Sequence, residues 1–443
     1  MLTHNLPPEI LHLIFSHTSK RDLSALCLVS QDIYRIAREL LYESISFDLF
    51  EDDFTTDPWT RANGDPRLHS LCRTLIERPN FALLVKKLHI LFYLRKFSQG
   101  AIPPLDVVSS QLGMLSGMIR KCGNLQDVYI AHEYALADSS IQDLNESLLS
   151  LSRLRKLRVA VKDTRYQGLV GRPRHIAGES DVGASLLQGA FKLPCMQSLD
   201  VTLQQGPDSP LRSLAFPINE SITKLSLSEA CFDPNHLTKI LAAAPRIEEL
   251  CLSFFLFAEV GSTSPGSCLD SEDLGRALAI SCSTLVNLKI EVAFDLNSTL
   301  APRTRPGEDA GYALSRRLGS LRSYTKLRSL ELPPEMLLGW NERTAPELSD
   351  VLPANLETLH FRHDLSHRES SLWCDFSPLC NKLGNCLGDS EVIMPKKLIL
   401  SHFPDGSRLG MLEFIESKCL GRGVQLVVIH DRSGSILDGL YLR

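Results

Sequence analysis

MQSLDV (196–201), ITKLSL (222–227) and IEELCL (247–252) repeat one pattern, L-x-x-L-x-L, with first positions 26 and 25 residues apart. The last three residues of each copy alternate apolar, variable, apolar. In an extended chain that spacing puts the two apolar side chains on one face and the variable one on the other. A strand buried on one face and recurring at a fixed period implies units that stack rather than one closed core.

The pattern continues in both directions. It occurs as Val85-Leu88-Ile90, Leu125-Val128-Ile130 and Leu154-Leu157-Val159 on one side. On the other it occurs as Leu285-Leu288-Ile290, Leu327-Leu330-Leu332 and Leu356-Leu359-Phe361, with weaker copies at Leu398-Leu400 and Val424-Val427-Ile429. The signature and the shorter spacings are those of leucine-rich repeats. Helix-period segments precede the strands at 107–121, 141–151, 235–244, 271–280 and 310–321, with Asp233 and Asp270 as candidate N-caps. The expected architecture is a curved solenoid, with a parallel sheet inside and helices outside. A doubly wound α/β sheet also alternates strand and helix, but the many copies of one motif favour the solenoid. Insertions rich in Pro, Gly and Arg at 164–183, 204–217, 261–269 and 299–311 read as surface loops.

Composition narrows the function classes. The 443 residues exceed a single ordinary core, in line with a repeat array. A net charge of -5 provides no basic footprint for nucleic acid. No apolar run approaches the roughly 20 residues of a membrane-spanning helix, so no membrane partner is expected. The N-terminal Met-Leu-Thr-His-Asn-Leu-Pro-Pro-Glu has neither a basic start nor a long apolar run, so no secretory signal is expected. The 12 cysteines are scattered without a Cys-x-x-Cys. They read as reduced, buried thiols of a cytoplasmic or nuclear protein.

Residues 4–45 have a different rhythm. Pro7, Pro8 and Glu9 suit a first helical turn, followed by Ile10, Leu11, Leu13, Ile14 and Phe15. Ser19 with Asp22 can cap a second helix carrying Leu23, Leu26, Leu28 and Val29. Ser30 can cap a third carrying Ile33, Tyr34, Ile36, Ala37, Leu40 and Leu41. About forty residues cannot bury this much apolar surface among themselves. The surplus either packs on the chain that follows or docks a partner.

Leu6-Pro7-Pro8-Glu9-Ile10-Leu11, Ile14-Phe15, Asp22-Leu23, Leu26 and Leu28-Val29-Ser30 closely resemble the F-box motif. The sequence Leu40-Leu41-Tyr42-Glu43-Ser44-Ile45 resembles the exit from that motif in fungal F-box proteins. Thr18 stands where the family usually has leucine, and Tyr34 near where it often has tryptophan. The resemblance implies binding of a Skp-type adaptor and, through it, a cullin–RING ubiquitin ligase, with the remaining chain selecting a protein substrate. It points to Leu6, Pro7, Ile10, Leu11, Ile14, Leu23, Leu26, Val29 and Tyr34 as adaptor contacts. The expected organisation is α+β: a three-helix F-box domain at 1–48, a connecting segment at 49–80 and an irregular leucine-rich-repeat domain at 81–443.

Signs of catalysis are sparse. No phosphate-binding loop, dinucleotide fingerprint or G-x-S-x-G elbow occurs. Gly388-Asp389-Ser390 lacks the strand–turn–helix setting of a hydrolase. His360, His363, His367, Cys374, Cys380 and Cys386 lie close in sequence, but their spacing is not that of a zinc finger. Leu379, Leu383 and Leu387 make that segment an apolar helix, so no metal or other cofactor is expected. His430-Asp431 reads as the polar exit of a last strand. The recognition surface is expected on the open sheet face, where the variable position contributes His89, Tyr129, Arg158, Asp200, Lys289, Glu331 and His360, with Ser226 and Cys251 between. The leading reading is a non-enzymatic substrate receptor. The alternatives are a capped leucine-rich scaffold, and a hydrolase on an α/β sheet.

Overall fold

The computed structural model describes residues 6–48, 66–92, 105–132, 138–161, 182–203, 214–228, 234–256, 269–294, 314–339, 344–362, 364, 377–389, 393–403 and 409–430. The chain divides into two compact units, 1–202 and 203–443.

The first unit opens with three helices: α1 (Pro8–Ser16), α2 (Lys20–Leu26) and α3 (Gln31–Glu43). Pro8 enters α1 in its first turn, where a missing N–H costs no hydrogen bond. The Ser19 hydroxyl accepts from Asp22 N–H and starts α2, and Ser30 accepts from Ile33 N–H and starts α3. Leu11, Phe15, Leu23, Ile33, Ala37 and Leu40 form the core between the helices. Lys20 Nζ donates to the carbonyls of Leu40 and Leu41 at 2.9 and 3.0 Å. It places a cation at the carbonyl end of α3, where the helix dipole favours one. Burial lowers the Lys20 pKa, and the Glu43 charge opposes that shift.

Strand β1 (Ser44–Asp48) follows α3 directly. It pairs parallel with β2 (Lys87–Phe92) along its whole length, so the last strand of the expected 1–48 domain is hydrogen-bonded to the chain that follows. The described part of the expected connector, from residue 66, holds helices α4 (Pro66–Glu77) and α5 (Pro79–Ala82). Phe81 of α5 meets the Tyr42 ring at 4.9 Å and lies under the guanidinium of Arg38. Next come α6 (Leu105–Lys121), β3 (Asp127–His132), α7 (Asp138–Leu149), β4 (Lys156–Val161), α8 (Val182–Phe191) and β5 (Ser198–Thr202). The five strands lie side by side in chain order, all parallel.

The second unit continues as β6 (Lys224–Ser228), α9 (Pro234–Ala243), β7 (Glu249–Leu256), β8 (Leu269–Asp270), α10 (Ser271–Leu278), β9 (Asn287–Phe294) and β10 (Leu314–Ser315). It ends with β11 (Ser329–Leu332), α11 (Pro334–Leu338), α12 (Leu348–Val351), β12 (Thr358–Phe361), α13 (Ser377–Gly388), β13 (Lys397–Phe403), α14 (Leu409–Arg422) and β14 (Gln425–His430). Its main sheet runs β6-β7-β9-β11-β12-β13-β14, again parallel and in chain order, while β8 and β10 form a separate pair. Strand order that follows chain order, with every neighbour parallel, is solenoid-like stacking; a doubly wound sheet would reverse direction from its first strand.

The register is the one the sequence spacing implies. Leu88, Val128, Leu157 and Leu199 share one rung of the ladder, and Ile90, Ile130, Val159 and Val201 the next; all eight are buried. The first position of each copy, from Val85 to Leu356, is also buried. Burying such a side chain contributes about 1.5–3 kcal/mol, so each rung favours the stack over the separate unit. Side-chain amides reinforce the steps: Asn124 donates to the Leu83 carbonyl and Asn355 to the Thr325 carbonyl, each at 2.7 Å. In both cases the acceptor lies two residues ahead of the first apolar position of the preceding copy.

Four of the five expected helices are present. The fifth, 310–321, is not helical in its described part from Leu314. Arg316 has φ 56° and Gly319 has φ 85°, and a right-handed helix cannot pass through two left-handed residues. Leu318 and Leu321 are instead buried from a loop, with their N–H groups donating to the carbonyls of Met336 and Val351. Asp270 caps α10 by accepting from Glu272 N–H at 2.9 Å, as its position predicts; Asp233 lies outside the described residues. The final copy is shifted by one residue. Leu426 and Val428, not Val427 and Ile429, align with Leu398 and Leu400, and Ile429 is exposed. Gly423, at φ 67°, redirects the chain just before Val424. The expected insertions lie largely outside the described residues.

Candidate functional site

Helix α1 has two apolar faces. Leu11 and Phe15, four residues apart, point into the three-helix core. Ile10, Leu13 and Ile14 form a second stripe about 100° around the helix and are exposed, Leu13 by 59% and Ile14 by 50%. Leu6 and Pro7 precede the helix and are exposed as well. Pro7 has φ -58° and ψ 146°, a fixed extended lead into the helix. A second exposed apolar group stands at the turn between α2 and α3: Leu28 is 88% and Val29 63% exposed. The turn is held by Leu28 N–H and Val29 N–H donating to the carbonyls of Ala25 and Leu26.

These positions sort the expected adaptor contacts. Leu6, Pro7, Ile10, Ile14 and Val29 are presented to solvent. Leu11 and Leu23 are not: at 7% and 3% exposure they belong to the core and support the surface from behind. Leu26 is half-buried against that core. Tyr34 is half-buried with the Arg38 guanidinium 5.1 Å above its ring. Leu13 and Leu28, outside the expected set, are exposed apolar side chains beside these residues. Leu13 lies three residues after Ile10 on the same stripe, a spacing legible in sequence; the exposure of Leu28 depends on how the chain turns after α2. Thr18, at the position of the usual leucine, is half-buried and turns its hydroxyl back to the Ile14 carbonyl at 3.4 Å.

Residues 3–48 match the F-box-like family. The F-box-like domain thus comprises all three helices and β1, so its last strand is also the first strand of the sheet. Among curated proteins, none matches the chain.

The open sheet face carries the other expected site residues, one group in each unit. In the first unit His89, Tyr129, Arg158 and Asp200 stand in register on neighbouring strands. His89 meets the Tyr129 ring edge-on at 6.0 Å, the Arg158 guanidinium lies 5.2 Å from that ring's centre, and Arg158 Nε pairs with Asp200 at 2.7 Å. In the second unit Ser226, Cys251, Lys289, Glu331 and His360 share a rung. There the charges meet one another. Glu331 takes Lys289 at 3.2 Å, Arg362 at 2.7 Å and His360 Nδ1 at 3.3 Å. Glu291 takes Lys289 at 2.8 Å and Arg362 at 3.0 Å. Asp364 takes Arg362 Nε and accepts from Val292 N–H at 3.1 Å.

Burial alone would raise the Glu331 pKa. Hydrogen bonds from His360 and Arg362, with the Lys289 charge, outweigh it and hold the carboxyl well below the usual range. The same balance raises Lys289: desolvation opposes its charge, but Glu291 and Glu331 win. When His360 donates from Nδ1 to Glu331, its Nε2 accepts from the Ser401 hydroxyl at 2.8 Å. Lys289, Glu331 and His360 are therefore satisfied within the fold, and a partner would have to displace existing pairs to use them.

The cysteine–histidine segment forms no metal site among the described residues. His360 is engaged as above, and Cys380 and Cys386 are buried on α13, where burial pushes each thiol up to about 11. His363, His367 and Cys374 lie outside the described residues, as do Ser390 and Asp431. Among the described residues no helix is long and apolar enough to cross a membrane.

Proposed function

We propose that this chain is the substrate-recognition subunit of an SCF-type ubiquitin ligase. Its F-box-like domain docks a Skp-type adaptor and through it a cullin–RING ligase, and its strand–helix units, read as irregular leucine-rich repeats, hold a protein target. The observation that carries this reading is the solvent-facing apolar stripe of Leu6, Pro7, Ile10, Leu13 and Ile14 on a domain that matches the F-box-like family. Exposed apolar groups gathered on one helix face favour a partner over water. The chain itself makes no covalent bond; it contributes proximity, holding a target lysine near a ubiquitin-charged partner enzyme. It works in the cytoplasm or nucleus.

A second reading has an observation of its own. The three helices lead into β1, and Arg38 and Tyr42 pack on Phe81, as a cap on a sheet would. In that case the protein is a leucine-rich interaction scaffold. Co-purification with a Skp-type adaptor separates the two. Wild type should retain the adaptor, and a Leu6→Ala/Pro7→Ala variant should lose it at an unchanged melting temperature. Failure of the wild-type chain to retain any Skp-type adaptor would leave the scaffold reading.

A further inference from the structure

Resting on the reading of the sheet as a protein-binding surface, we infer that the open face of the first unit reads a side-chain carboxylate, in an aspartate- or glutamate-bearing segment of the partner. Arg158 is the reading group. Its side chain is 58% exposed, yet it is held from two directions. The ion pair with Asp200 is made through Nε, and the guanidinium lies over the Tyr129 ring. A pair made through Nε leaves the two terminal nitrogens for a second anion. A guanidinium held between a ring and a carboxylate loses little freedom when it binds, and its fork matches the two oxygens of a carboxylate.

The neighbouring row supplies the charge. Lys87, Asp127 and Lys156 stand in register two residues before His89, Tyr129 and Arg158, hence on the same face. Lys87 and Lys156 are exposed. Across β2 to β5 these two rows hold Lys87, Lys156 and Arg158 against Asp127 and Asp200, leaving one positive charge unmatched. One singly charged carboxylate balances it, and a doubly charged phosphate would overshoot. The second unit differs, because its guanidinium, Arg362, is already shared by Glu291, Glu331 and Asp364.

The test uses the full chain and a fluorescein-labelled glycine–serine peptide carrying one glutamate, with the same peptide carrying glutamine or phosphoserine at that position as further probes, read by fluorescence polarisation. The glutamate peptide should bind and the glutamine peptide should not. Arg158→Gln should weaken the glutamate peptide roughly tenfold or more, as loss of a charge-assisted pair does. Lys326→Gln, an exposed cation of the second unit, should leave binding unchanged. Tyr129 is a positioning residue, so Tyr129→Ala should weaken binding while Tyr129→Phe, which keeps the ring face, restores it. Affinity for the glutamate peptide unmoved by Arg158→Gln, or absent in wild type, overturns the inference; tighter binding of the phosphoserine peptide overturns the choice of carboxylate. Adaptor retention, measured on the same samples, fails or succeeds independently and reports on the ligase reading alone.

Discussion

Leu250 lies in β7 and Glu248 just before it, and the fold treats them oppositely. Leu250 is buried on the rung with Leu225 and Leu288, while Glu248 is exposed. Leu250→Asp places a carboxylate where no partner is built, at a cost exceeding the about 2–5 kcal/mol of removing a core leucine altogether. It should unfold the second unit, whereas Glu248→Ala should leave the melting temperature within a degree or two. Equal melting shifts for the two would refute the register. The N-terminal helix shows the same contrast with a functional outcome. Leu13→Ala should weaken adaptor capture by on the order of tenfold at unchanged stability, since exposed anchors act on binding. Leu11→Ala should lower the melting temperature of the helical domain first. Pull-down and thermal unfolding on both variants check this, and loss of stability from Leu13→Ala would place that residue in the core. The breadth of the apolar stripe was legible in sequence. Which of its two faces points inward was not, because α2 and α3 decide that.

At the scale of elements, β9, β11 and β12 are tied by charge as well as by backbone. Glu331 sits between Lys289, His360 and Arg362 with its folded pKa below the unfolded carboxylate value. A depressed pKa contributes stability that is full above the unfolded value of about 4.3 and is lost as pH falls through the folded one. Denaturant unfolding followed from pH 7 to pH 3 should therefore show the second unit weakening below roughly pH 4.5. Glu331→Gln should be less stable than wild type at pH 7 and lose less on acidification. A variant with the wild-type acid slope would mean that Glu331 is not the group titrating. Strand positions were legible because a period of two is strict: one residue of slip would turn every Leu to solvent. Where the chain leaves that period, legibility ends. The 310–321 segment has helix-like apolar spacing, yet Arg316 and Gly319 adopt left-handed backbone and its leucines are buried from a loop. In β14 the pairing is offset by one residue from the apolar pattern, with Gly423 in left-handed backbone just ahead of it, and side-chain pattern does not report such backbone geometry.

Across the whole molecule the same limit applies to domain limits. The rhythm of residues 4–45 marks out the helical motif, but not that Ser44–Asp48 serves both the F-box-like domain and the sheet, which only the pairing reveals. The consequence can be measured by comparing two shortened chains, one beginning at residue 44 and one at residue 49. Both lose Arg38 and Tyr42 from the Phe81 face, so that loss cancels between them. They differ only in β1. Ile45 is buried, and Phe47 is half-buried with Arg67 5.7 Å over its ring. Removing the two side chains should cost about 3 kcal/mol. The deletion also strips β2 of its parallel partner along five residues, from Lys87 to Leu91, leaving an edge of unpaired N–H and C=O groups open to other chains. The chain begun at 49 should therefore melt several degrees lower in calorimetry and self-associate in light scattering, while the chain begun at 44 stays monodisperse. Identical melting and scattering would show that β1 contributes nothing to the first unit. The helical motif would then be a separable appendage, and adaptor capture could be grafted or removed without touching the sheet.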